Sequence, residues 1–209
     1  MPGDNVYKTF PNLYTIRGTT HRDVVGWIQS IDHMKSFEPE FLFPSHTKPI
    51  VGKDKIKEIL IIYRDAFQFI HDQTIRLMNQ GYYPDQIIEM IELPEDIAKS
   101  PYLFEFYGTT RWSVKSIFSG YLGWFNGNPS ELDPLSREEK AIRISQLAGG
   151  KDILLEQLRK AVQDEDMQWA LELSDYLIAL DFFNREVKNL RQKALIYEGT
   201  RTSNPNKRN

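Results

Sequence analysis

Apolar residues recur along most of this chain at three- and four-residue intervals, the period of a helix with one buried face. The first such stripe is Val24, Trp27, Ile28 and Ile31. It predicts a helix capped by Thr19 or Thr20, with Asp23 in its first turn and Pro39 as its break. Ahead of it, residues 10–16, with Leu13, Tyr14 and Ile16, suit a short strand before the Arg17-Gly18 turn. Behind it, residues 40–43 suit a second short strand, and Pro44-Ser45-His46-Thr47 follows at once. Strand, helix, strand is the habit of an α/β layer. A strand that runs out into Ser-His delivers an imidazole to the rim of the sheet.

After Gly52 the pattern is helical almost throughout. Ile56, Ile59, Leu60, Tyr63, Phe67, Ile70, Thr74 and Leu77 keep the period until Gly81 stops it. Pro84 and Pro94 each start a short helix. Val114, Ile117, Phe118 and Tyr121 mark another, and Asn126-Gly127-Asn128-Pro129 is a loop. Beyond Ser136 the spacing predicts helices over residues 138–147, 153–162, 167–180 and 185–197. Asp166, Trp169-Ala170, Leu173, Tyr176-Leu177, Arg191 and Ala194 have the cadence of a tetratricopeptide hairpin, for about one and a half repeat units. Residues 199–209 are polar and are expected to be a disordered tail or linker.

Composition narrows the chemistry. The 209 residues contain no cysteine, so disulfides and thiolate catalysis are excluded and any metal must be held by histidine and carboxylates. A chain without thiols is indifferent to redox, so its compartment stays open. A net charge of -3, with Lys207-Arg208 in the polar tail as the sole basic cluster, gives no footprint for nucleic acid. No apolar run approaches the roughly 18–20 residues of a membrane span, and no signal-peptide pattern opens the chain. Gly3-Asp4-Asn5 reads as a mid-domain turn with no strand in front of it, as in a fragment or a gene model that starts late.

Two short segments carry candidate ligands: Asp4 in the Gly3-Asp4-Asn5 turn and His46 after the 40–43 strand. Alone, each has a plain alternative, since an aspartate in a glycine turn is ordinarily a turn former and a loop histidine is ordinarily structural or solvated. Arg17 can bind an oxyanion, cap a helix or pair with Asp23. His71, on the long helix, reads as a histidine satisfied by a neighbouring helix. For the aromatic residues between Phe104 and Phe125 core packing is the default reading. Lys53 to Lys57 is a solvated helix start, and Glu138-Glu139 complements a helix dipole.

Several motifs point the same way: Phe10-Pro-Asn-Leu-Tyr-Thr-Ile-Arg-Gly18, Pro44-Ser-His46, Tyr63-Arg64-Asp65, Ile70-His-Asp-Gln-Thr-Ile-Arg-Leu77, Tyr107-Gly-Thr109 and Tyr121-Leu-Gly-Trp-Phe-Asn-Gly-Asn-Pro129. Together they resemble the alkyl sulfatases of the metallo-β-lactamase superfamily over nearly all of residues 4–198. The resemblance implies a mainly α fold: residues 1–51 as the terminal α/β piece of a metallo-β-lactamase sandwich, residues 52–198 as an all-helical dimerisation domain with tetratricopeptide-like hairpins, and residues 199–209 as a linker toward a sterol-carrier-like domain. It implies a zinc-dependent hydrolase of alkyl sulfate esters, with two zinc ions per intact subunit, acting as a homodimer. Asp4 would stand where the family has a metal-binding glutamate, His46 would be its last zinc-ligand histidine, and Arg17 would hold the sulfate group with its planar fork. The family's first metal motif, His-x-His-x-Asp-His, does not occur among His21, His33, His46 and His71. These residues alone are therefore expected to bind zinc weakly and to be inactive, and no catalytic residue is assigned. The competing expectation is a non-catalytic helical dimerisation or interaction module. One further departure is Trp112, where bacterial members carry a histidine that reaches the active site; sulfatase activity is expected to be reduced, with Trp112→His raising it.

Overall fold

The computed structural model describes residues 1–16 and 18–208. It is mainly α: ten α-helices, one short 3-10 turn at Pro129–Glu131 and a two-stranded sheet, counted among the described residues. Contacts divide the chain into two compact units, residues 1–132 and 133–209. The boundary that the sequence suggests at Gly52 falls inside the first unit, because the helices on either side of it share one core.

In the first unit, α1 (Val24–Ser36) begins at Asp23, whose carboxylate accepts the Gly26 N–H. The cap is thus Asp23 and not Thr19 or Thr20. Helix α1 lies against α2 (Lys53–Asn79), and α2 lies against α5 (Thr110–Leu122). Between them run α3 (Pro84–Met90) and α4 (Glu95–Ala98), which start at the two prolines as expected of that residue in a first turn. The helical stripe of α2 is buried from Ile56 to Leu77, and it forms the core with Val6, Phe10, Leu13, Ile31 and Ile117. Strand β1 (Phe41–Leu42) pairs antiparallel with β2 (Ile50–Val51), so that Leu42 and Ile50 face inward and Phe41 and Val51 outward.

The strand expected over residues 10–16 does not form. Pro11 has no N–H to give to a ladder, and the Asn12 side chain turns back to accept the Tyr14 N–H. Instead the segment lies buried against residues 104–108. Phe10 N–H donates to the Phe104 carbonyl, and Gly108 N–H donates to the Phe10 carbonyl. Approach is so close that a Cβ on Gly108 would stand 1.8 Å from the Pro11 carbonyl oxygen. Tyr63 on α2 completes the clasp, donating its hydroxyl to the Thr9 carbonyl at 2.6 Å.

The second unit is a run of helices: α6 (Arg137–Ala148), α7 (Lys151–Gln163), α8 (Met167–Ala179) and α9 (Arg185–Arg201). Each packs on the next, through Leu154, Leu158, Ala161, Ala170, Leu173, Leu177, Val187 and Ala194. Their ends are marked locally. Ser136 and Glu139 form a capping box for α6, and Gly149, at φ 95°, closes it in the left-handed conformation that a side chain resists. Asp166 and Asn184 cap α8 and α9. The expected polar tail is largely ordered. Helix α9 continues to Arg201, and α10 (Pro205–Arg208) follows a turn in which the Asn204 side chain accepts the Asn206 N–H.

Candidate functional site

Asp4 and His46 are 42 positions apart, and the fold brings them together. The Gly3 carbonyl accepts the Ser45 N–H at 3.3 Å, and Gly3 forms a parallel bridge with Pro44. The turn is pinned from the other side by α1: Trp27 Nε1–H donates to the Asn5 carbonyl, and the Asn5 side chain donates to Ser30 Oγ. His46 Nε2 then stands 3.2 Å from Asp4 Oδ1. Both side chains are about two-thirds exposed, so as a simple ion pair they add little to stability.

The pair lies at a cleft of about 450 Å³ that is also lined by Tyr7, Lys8, Phe106 and Tyr107. Tyr7 sets its ring edge-on to His46, 6.2 Å between centroids, and its hydroxyl accepts the Asn12 N–H. Burial pushes its pKa up to about 12, so at neutral pH the phenol keeps its proton. Lys8 reaches over the Tyr102 ring at 5.7 Å. The cleft thus combines a cation, a carboxylate–imidazole pair and aromatic walls. Tyr7 and Lys8 were not apparent from the sequence; the one available signal was their place in the same turn as Asp4.

As metal donors, an aspartate oxygen and an imidazole nitrogen are suitable types for zinc. Their 3.2 Å separation is close to the roughly 3.4 Å between neighbours on a tetrahedral ion with bonds of about 2.1 Å. They fit as part of a ligand set. Among the described residues no group of three or more potential ligands gathers at one point. Arg17, the expected sulfate contact, lies outside the described residues.

Trp112 is in the third position of α5, whose N-cap Thr109 accepts its N–H. Its indole packs edge-on against Tyr14 at 5.2 Å, and the Tyr14 hydroxyl donates to the Tyr107 carbonyl. His71 is mostly buried, and its Nε2 meets the Tyr121 hydroxyl of α5 at 2.7 Å, as a histidine satisfied by a neighbouring helix should be.

A helical chain that begins with such a turn and cleft has well-matched counterparts. Residues 83–209 match the family described as Alkyl sulfatase dimerisation, and the chain belongs to that family. It is 42% identical over 202 residues to a linear primary-alkylsulfatase from Pseudomonas sp., covering 96% of this chain and 38% of that protein. It is 32% identical over 195 residues to the alkyl/aryl-sulfatase BDS1 of Saccharomyces cerevisiae, covering 92% of this chain and 30% of that one. Among solved structures, the stereoselective inverting sec-alkylsulfatase Pisa1 from Pseudomonas sp. superposes with a TM-score of 0.90 at 30% identity, over 97% of this chain and 32% of that one. The chain therefore spans about a third of the length of the relatives it matches.

Proposed function

We propose that the protein is a zinc-dependent hydrolase of alkyl sulfate esters, to which this chain contributes the helical dimerisation part and one edge of the active cleft. The observation that carries the reading is the convergence of Asp4 and His46, from two distant turns, on a cleft with a lysine and aromatic walls. In this reading Asp4 and His46 hold metal together with ligands from the rest of the full-length protein. Zinc, when bound, supplies a water of lowered pKa and an electrophile for the departing sulfate. Arg17 takes the sulfate group by its fork, and Lys8 adds positive charge at the mouth. Phe106 and Tyr107 offer apolar surface to an alkyl chain, while Tyr7 holds the imidazole edge-on and stays neutral. Two copies associate as a homodimer, the commonest closed arrangement.

The test uses the full-length gene product. It is expected to carry a pair of zinc ions per subunit and to release inorganic sulfate from a linear alkyl sulfate. His46→Ala and Asp4→Asn should each lower zinc content and reduce the rate by about 100-fold or more. A zinc-loaded protein that releases no sulfate from any alkyl sulfate sinks the reading. A second reading, a non-catalytic dimerisation module, is favoured by the exposure of the donor pair and by the lack of a third donor among the described residues. It requires that the full-length protein bind no zinc and that His46→Ala be silent.

A further inference from the structure

Away from that cleft, α2 and α5 build a second constellation that the proposed hydrolysis does not use. His71 Nε2 lies 2.7 Å from the Tyr121 hydroxyl, and His71 Nδ1 lies 2.8 Å from Asp72 Oδ1. The order is carboxylate, imidazole, phenol. In the neutral imidazole, Asp72 can accept only from Nδ1–H, and that tautomer leaves the Nε2 lone pair facing the phenolic hydrogen. A nucleophile within hydrogen-bond reach of a base, with a third group orienting the base, is the arrangement that activates hydroxyls for covalent chemistry. The imidazole is mostly shielded, with its side chain 13% exposed, whereas Tyr121 is 54% exposed at the end of α5. A shielded base beside a phenol whose residue reaches solvent is the arrangement such chemistry needs.

We propose that Tyr121 is a base-activated phenol, reactive toward electrophilic sulfur(VI) centres, with His71 as its base and Asp72 as the group that orients the base. In the step, Oη attacks sulfur, the bond from sulfur to its leaving group breaks, and the phenolic proton passes to His71 Nε2. The leaving group departs with the bonding pair. The site stands apart from the Asp4–His46 cleft and does not depend on zinc.

An aryl sulfonyl fluoride is a direct probe, because fluoride is its leaving group and no metal is needed. Applied to the 209-residue chain and read by peptide mass spectrometry, it should label Tyr121 about tenfold or more faster than Tyr82 and Tyr83, which are also exposed. His71→Gln, which keeps a polar side chain but removes the base, should bring Tyr121 down to the rate of Tyr82 with the helical circular dichroism unchanged. Asp72→Asn should give an intermediate rate. The proposal is overturned if Tyr121 labels no faster than Tyr82 and Tyr83, or if His71→Gln leaves its rate unaltered. Should His71→Gln disturb the fold, Asp72→Asn on the exposed surface decides alone, and an unaltered rate there also overturns it.

Discussion

In the first unit, residues far apart in sequence hold one another. Tyr63 grips Thr9, Phe10 and Gly108 bond to each other's segments, and the turn before Asp4 is tied to α1 and to the chain at Ser45. In the second unit, the helix ends are marked by local caps and glycines, and every helix packs on its sequence neighbour or on the next helix but one. The difference is between a fold closed by long-range clasps and one assembled from local pieces. Long-range clasps allow a site to be gathered from distant turns, as Asp4 and His46 are. They also concentrate stability in a few contacts for which no neighbour can substitute.

The largest effect should therefore come from Gly108. A methyl there meets backbone and not a yielding side chain, so Gly108→Ala is expected to cost about 3 kcal/mol or more. Hydrogen exchange should show residues 4–16 and 104–110 losing protection while α7 and α8 keep theirs. Equal loss across both units would erase the contrast. Next comes Tyr63→Phe, which removes the buried hydroxyl from the Thr9 carbonyl and N–H and should cost about 1–3 kcal/mol in chemical denaturation of the first unit. A silent Tyr63→Phe would mean the clasp is held by packing alone. The smallest effect belongs to the second unit. Ser136→Ala removes half of the capping box and should cost about 1 kcal/mol, confined to fraying of α6. If α9 loosens as well, the helices there are less independent than their contacts suggest.

What could be read in advance follows the same divide. Helix α2 and helices α6 to α9 announce themselves because a 3.6-residue stripe, a proline or a cap lies within the segment that folds. The order of the tail is not legible in the sequence, because α10 follows the Asn204 turn and Lys207 reaches back to Glu198, neither of which is periodic. In residues 10–16 Leu13, Tyr14 and Ile16 look strand-like, whereas Pro11 and the Asn12 turn decide the backbone. Asp4 and His46 can be singled out by type and family likeness, but their meeting cannot, because it is made by a backbone bridge between distant turns and by the ties of Asn5 to α1. Tyr7 and Lys8 line the cleft only as a consequence of that meeting, and their nearness in sequence to Asp4 is the one local signal for them.

The bridge from Gly3 to Pro44 has one more implication. It is the fastening of a loop whose span includes all of α1, so the distance between the two side chains reports on whether that loop is shut. A small opening between α1 and α2, far short of global unfolding, would part the aspartate from the imidazole while leaving most of the helix content untouched. The two turns would thus act as a clasp that loses its grip early, and the resonance of the His46 ring would be a gauge of partial opening that bulk helicity would miss.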